Sequence, residues 1–200
     1  LQKLFRAVCT GTEIIETYHD LERLRLQSAD PGKFDWAKLR PQAEIELFGT
    51  HKHLDKIHYA CLSIDGNGLR SYGECTVQLA EQMIAHRTSC FEGNTAIIYK
   101  NSGDFENFIR CEWLDRNKIC TAVLAGLLDK DTKEGDFLKI LLEVGAKPEE
   151  DRFIELHIFG PMTAKTIESI QIDGSNYSRR DRTLLKAIRE KLADTPITVT

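Results

Sequence analysis

Residues 152–159 read Arg-Phe-Ile-Glu-Leu-His-Ile-Phe, and the architecture follows from this stretch more than from any other. β-Branched and aromatic residues dominate it, which predicts a strand from Asp151 to Phe159. Side chains alternate across a strand. Ile154, Leu156 and Ile158 therefore share one face, which is core, while Phe153, Glu155, His157 and Phe159 share the other. A carboxylate and an imidazole thus stand side by side, bracketed by aromatic rings. Aromatics beside ionisable groups point to a partly dry cleft, where acid–base properties shift and proton transfer becomes feasible. The plainer alternative is a half-exposed edge strand with incidental polar residues.

Other strands surround this one in sequence. Ile57 to Ile64 (IHYACLSI) is nearly continuous in apolar residues, the pattern of a central buried strand. Asp65-Gly66-Asn67-Gly68 predicts a hairpin turn, and Tyr72 to Leu79 a second strand. Ala80 to Ala85 reads as a short helix. Arg87 to Phe91 and Thr95 to Tyr99 read as strands around Gly93-Asn94. From Asp104 to Leu128, apolar residues recur at three and four, as in one long helix or two. Phe137 to Val144 predicts a further helix stopped by Gly145. Thr166 to Ile172 predicts a strand after a turn at Gly160-Pro161. Ser178 caps a basic amphipathic helix reaching Leu192.

The N-terminal part reads as helical. Leu1, Leu4, Phe5 and Val8 share one face, Gly11 breaks the helix, and Ile14, Ile15, Tyr18, Leu21 and Leu24 form a second run. Asp30-Pro31-Gly32 is a loop. Asp35 caps a short helix through Trp36 and Leu39 that ends before Pro41. Helices and strands are not regularly interleaved, so the fold class is α+β with a mixed or antiparallel sheet.

The composition narrows the function classes. The chain has 200 residues, 42% hydrophobic and 29% charged, with a net charge of −4. That suits one globular domain and is too apolar for disorder. No apolar run is long enough for a membrane helix, and a pI near 5.9 argues against nucleic acid as a partner. Six cysteines without a Cys-x-x-Cys pair read as reduced and buried, as in a cytosol. The chain opens on Leu1 without a signal-peptide pattern and reads as a trimmed piece of a longer protein. His51-Lys52-His53 has no carboxylate or cysteine at ligand spacing, so no metal is expected. Gly66-Asn67-Gly68 lacks the third glycine of a dinucleotide fingerprint. Leu138 to Pro148 (LKILLEVGAKP) is like the end of an ankyrin repeat, but the period does not recur, so we read it as coincidence.

Two further stretches carry candidate chemistry. His58-Tyr59 places an imidazole on the apolar strand, either as a satisfied core residue or as a ligand contact. In Arg87-Thr88-Ser89-Cys90-Phe91-Glu92-Gly93-Asn94, the Arg, Thr and Ser types bind phosphate or ribose hydroxyls, and Phe91 can stack on a flat ring. An ordinary surface strand also contains such residues.

In this order the three stretches resemble the ADP-ribosyltransferase fold. More narrowly, HYACLSIDGNGLRSYGECTVQLAEQMIAHRTSCFEGN (58–94) and FIELHIFGPMT (153–163) resemble the OspC/CopC family of type III secretion effectors, the arginine ADP-riboxanases. The resemblance spans roughly residues 50–172, and Glu155-Leu156-His157 matches the family's late Glu-x-His motif. It implies ADP-ribosyltransferase-like mixed or antiparallel sheets with an N-terminal helical segment (1–48), a catalytic core (49–176) and a C-terminal helix (177–200) leading toward an ankyrin domain. It implies NAD as co-substrate, with no metal. Glu155 and His157 would be catalytic. His58 would hydrogen-bond NAD, Arg87, Thr88 and Ser89 would brace its pocket, and Phe91 or Phe105 would be the nicotinamide platform. Most arginine-specific transferases carry a second Glu where His157 stands.

The same resemblance implies transfer of ADP-ribose to an arginine of a host caspase, then loss of ammonia, blocking host cell death. It further implies activation by host calmodulin and secretion into the host cytoplasm. Bulky anchors among basic residues in 1–26, and the more basic 178–192 helix, suit a helix-in-groove ligand; either helix can equally pack on its own domain. Competing readings are a plain mono-ADP-ribosyltransferase, an NAD glycohydrolase and a non-catalytic partner-binding module.

Overall fold

The computed structural model describes residues 1–10, 15, 17–20, 36–50, 52–175 and 177–200, with the backbone alone at residues 3, 6, 7, 10, 36 and 37. The expected Gly11 break, the Leu21–Leu24 run, the 30–32 loop, the Asp35 cap and His51 lie outside the described residues.

Four antiparallel strands form the sheet that carries the site. Their spatial order is β1 (Ile57–Cys61), β7 (Glu155–Phe159), β3 (Thr88–Phe91) and β4 (Arg110–Glu112). β7 is bonded on both edges, so it is an inner strand and not the half-exposed edge of the plainer reading. A second, mixed sheet pairs β2 (Cys75–Leu79) antiparallel with β8 (Ile167–Ile172), and β8 parallel with β9 (Ile197–Val199). A two-residue ladder joins β5 (Leu142–Glu143) to β6 (Arg152–Phe153). Among the described residues, helices with described bounds are α1 (Gln2–Thr10), α2 (Trp36–Phe48), α3 (Glu81–Ile84), α4 (Thr95–Ser102), α5 (Arg116–Leu127), α6 (Phe137–Leu141) and α7 (Arg179–Lys191). The fold is α+β with antiparallel and mixed sheets.

Two cores hold these layers. One face of the first sheet buries Cys90, Leu156 and Ile158 with Trp113, Ile119, Leu141 and Met162. The second sheet buries Ile167, Ile170 and Ile172 against Leu4 and Val8 of α1 and Leu185, Ile188 and Leu192 at α7. The apolar periodicity of both terminal helices is spent on this core. Each such side chain contributes on the order of 1.5–3 kcal/mol by leaving water. Ser178 caps α7, accepting from the Asp181 amide, while the Asp181 carboxylate accepts from the Ser178 amide.

Several local expectations give way to tertiary context. Thr95–Tyr99 is β-rich in composition yet helical, because the Asn94 side chain accepts from the Ala96 and Ile97 amides and starts α4. Residues 110–112 pair with β3 as a strand, although their apolar spacing matches a helix. The Asp65–Gly68 turn does not close a hairpin, since β1 and β2 belong to different sheets. Tyr72 lies in a 3₁₀ turn before β2, and the helix from Phe137 ends at Leu141. Most consequentially, α2 runs through Pro41 to Phe48. Pro41 forfeits one helix hydrogen bond, but Arg40 and Glu44 on either side of it are anchored in the site.

Candidate active site

Strand register sorts the candidate residues by face. Directly opposed residues on antiparallel strands share a face. Tyr59 and Ser89 both stand opposite His157, and Cys61 and Phe91 opposite Glu155. His58 and Thr88 stand opposite Ile158, on the reverse face. There the His58 Nε2 is 2.8 Å from the carbonyl of Ile15, and the Thr88 hydroxyl donates to the carbonyl of Ile84 at 2.7 Å. Glu155, His157 and Ser89 are thus brought together, and the sheet separates His58 and Thr88 from them.

α2 and α4 cover the polar face. Glu155 is 1% exposed and His157 4%, so both lie in a dry interior rather than a half-wet cleft. The Glu155 carboxylate meets the Arg40 guanidinium at 2.9 Å. Its other oxygen accepts from the Thr95 amide at 2.7 Å and from the Thr95 hydroxyl at 2.6 Å, and lies 3.2 Å from His157 Nε2. Burial would push this carboxyl up, but the Arg40 charge and the His157 and Thr95 hydrogen bonds outweigh it and hold it down at about 2. It is therefore ionised at any physiological pH.

Arg40 also donates to the Thr95 hydroxyl at 2.8 Å and to Asn94 Oδ1 at 3.2 Å. Its guanidinium lies 4.2 Å from the centre of the Tyr59 ring, a cation–π contact that replaces lost hydration. The Tyr59 hydroxyl donates to buried Glu44, which also contacts His19 Nε2 at 2.8 Å. The network thus reaches from β7 through α2 to the N-terminal segment.

Rings enclose His157. Centroids of Phe91, Tyr59 and Phe48 lie 4.3, 4.8 and 5.7 Å from its own. Its Nδ1 is buried and makes no hydrogen bond. A cavity of about 280 Å³ adjoins it, lined also by Phe48, His53, Ile57, Arg87, Ser89 and Phe159. Arg87 shapes the rim with its charge spent on the backbone, donating to the carbonyls of Met83, Phe159 and Pro161. Gly160, at φ +85°, turns the chain there.

Neither proposed platform lines this cavity. Phe91 is fully buried behind His157 and stacks on Phe108, and Phe105 lies beyond Phe108 against Tyr99. The lining rings are Phe48 and half-exposed Phe159. Arg40, Glu44 and Thr95 carry no signal in the sequence, and Asn94 stands there as a turn residue and the end of a candidate stretch. Asn94 after Gly93 was the legible signal, as a helix cap. No described cluster of three or more His, Cys, Asp or Glu side chains could hold a metal ion, and no described helix is long and apolar enough to cross a membrane.

No protein-family model matches this sequence, and no curated protein matches it. Among solved structures the chain is similar to Thermus sp. 2.9 DarT in complex with carba-NAD+, at 11% identity and a TM-score of 0.36, over 72% of this chain and 70% of that one.

Proposed function

We propose that this protein is an NAD-dependent ADP-ribose-transferring enzyme whose reaction takes place at the cavity beside His157. The observation that carries the reading is the Glu155–His157 pair on the cavity side of β7, with the carboxylate held ionised by Arg40. Cleavage of the nicotinamide–ribose bond develops positive charge on the ribose carbon, which a fixed anion stabilises. A histidine beside it is suited to take the proton that the acceptor loses. The cavity lies just below the usual range for ligand pockets. It suits a flat heteroaromatic head with its ribose, with the remainder of NAD lying outside.

The finer proposal follows the sequence resemblance to arginine ADP-riboxanases. An arginine nitrogen bonds to the ribose carbon as nicotinamide leaves with the bonding electrons. A ribose hydroxyl then attacks the guanidinium carbon and ammonia departs, carrying the hydroxyl proton. On this proposal the acceptor is a host caspase, calmodulin is the activator, and the enzyme acts in the host cytoplasm after type III secretion. The buried positions of Leu4, Val8, Leu185 and Ile188 add a condition. Calmodulin can grip those anchors only if α1 and α7 separate.

The test is intact mass of a caspase panel after incubation with this protein, NAD and calmodulin, with Glu155→Ala alongside. A gain of ADP-ribose less ammonia, absent with the variant, is expected. A gain of whole ADP-ribose replaces riboxanation with plain transfer. Failure to bind or cleave NAD overturns the enzyme reading in favour of an interaction module.

A further inference from the structure

Glu155 is buried and already engaged. It is 1% exposed; one oxygen meets Arg40, and the other has the Thr95 amide, the Thr95 hydroxyl and His157 Nε2 within reach. On this face His157 lines the cavity and retains a buried, unused polar atom, Nδ1.

The proton on the imidazole can be placed by counting. The Thr95 hydroxyl has a single proton. It accepts from Arg40 at 2.8 Å, and its own proton goes to Glu155 at 2.6 Å. It has none to offer His157 Nε2, 3.3 Å away. Glu155, the other neighbour of Nε2, is an acceptor only. Nε2 therefore faces two acceptors and must itself carry hydrogen. In the neutral ring the lone pair is then on Nδ1, which points nearly opposite to Nε2 and so away from the carboxylate.

We propose that the Arg40–Glu155 ion pair, with Thr95, holds His157 in its Nε2–H form, and that His157 Nδ1 is the proton acceptor of the reaction. Arg40 is a positioning residue; His157 touches the reacting atoms. As the acceptor nitrogen bonds to the ribose carbon and nicotinamide leaves with its electron pair, the N–H bond of the acceptor breaks and Nδ1–H forms. The resulting imidazolium donates from both nitrogens, Nε2 to Glu155. The consequence for turnover rests on the transferase reading above, while the ring form rests on geometry alone.

Long-range ¹H–¹⁵N correlation spectra of the histidine-labelled protein test the ring form directly, with the His157 signals assigned by their loss in His157→Gln. A protonated Nε2 and a lone-pair Nδ1 are expected in the neutral ring; a protonated Nδ1 overturns the assignment. Arg40→Met should lower kcat for NAD cleavage by about 10²-fold, with little change in KM, and should mix the two ring forms. Arg40→Lys should recover part of both. A folded Arg40→Met with unchanged kcat and spectrum removes Arg40 from this role. If Arg40→Met does not fold, the wild-type spectrum still decides the ring form and Arg40→Lys the role. NAD cleavage with the proton on Nδ1 sinks this assignment alone. Nε2–H without any NAD cleavage leaves the ring form standing and sinks the transferase reading.

Discussion

Acid should weaken this protein in part through one carboxylate. The folded environment holds Glu155 at about 2 against an ordinary 4.5: burial opposes ionisation, and Arg40, His157 and Thr95 override it. A folded value below the unfolded one means that the contribution is fully present above about pH 4.5 and is lost as pH falls through about 2. At about 1.4 kcal/mol per pH unit, the gap corresponds to about 3 kcal/mol. Because Glu155 is enclosed, solvent screening removes little of it. Glu155→Gln should cost about 3–5 kcal/mol at pH 7, since Arg40 is left buried without its counter-charge. That deficit should shrink by about 3 kcal/mol toward pH 2, where the wild-type carboxyl is itself half protonated. Urea unfolding of both proteins, from pH 7 down to the lowest pH with a native baseline, measures it. Exposed carboxylates such as Asp65, Asp129 and Asp181 are also held below their ordinary values, and subtracting the two curves cancels them. Parallel curves would refute the coupling between Glu155 and Arg40.

Three further outcomes are expected. Phe91→Ala should cost about 3–5 kcal/mol by urea unfolding, because Phe91 is fully buried between His157 and Phe108; Phe159→Ala, at 48% exposure on the cavity rim, should weaken NAD binding with under about 1 kcal/mol of stability loss. Ser178→Ala should lower stability by about 1 kcal/mol through loss of the α7 cap while leaving NAD cleavage unchanged, as read by unfolding and turnover in parallel. Burial, with Cys111 and Cys120 nearby, pushes the Cys90 thiol up to about 12, so mass-resolved thiol labelling at pH 8 should reach Cys90 only in urea; fast native labelling would contradict its burial.

The legible part of the fold was the part with local periodicity. The apolar face of β7, the β8 strand and the Ser178-capped helix stand where alternation and capping put them, whereas the strand at Ile57, expected at the centre of its sheet, forms the edge and ends at Cys61. α2 was illegible for a physical reason. Among its described side chains the buried ones are Arg40, Ala43 and Glu44, so the inward face there carries charge and shows no apolar stripe, and Pro41 reads as a stop. α4 departs from its local pattern because Ile97, Ile98 and Tyr99 favour strands, whereas the cap at Asn94 and packing against α2 favour a helix.

The same division runs through the site. Alternation along a single strand places Glu155 beside His157 whatever the rest of the chain does, because the period of two is a property of the backbone. Which partners join them depends on register between strands distant in sequence, and a slip of one residue exchanges the faces. Tyr59, not His58, stands opposite His157, and Ser89, not Thr88, does so from the other side. Burial of the pair, its ion partner on α2 and the cavity beside His157 arise from packing between segments that are sixty to more than a hundred residues apart. No local pattern of residues encodes such contacts.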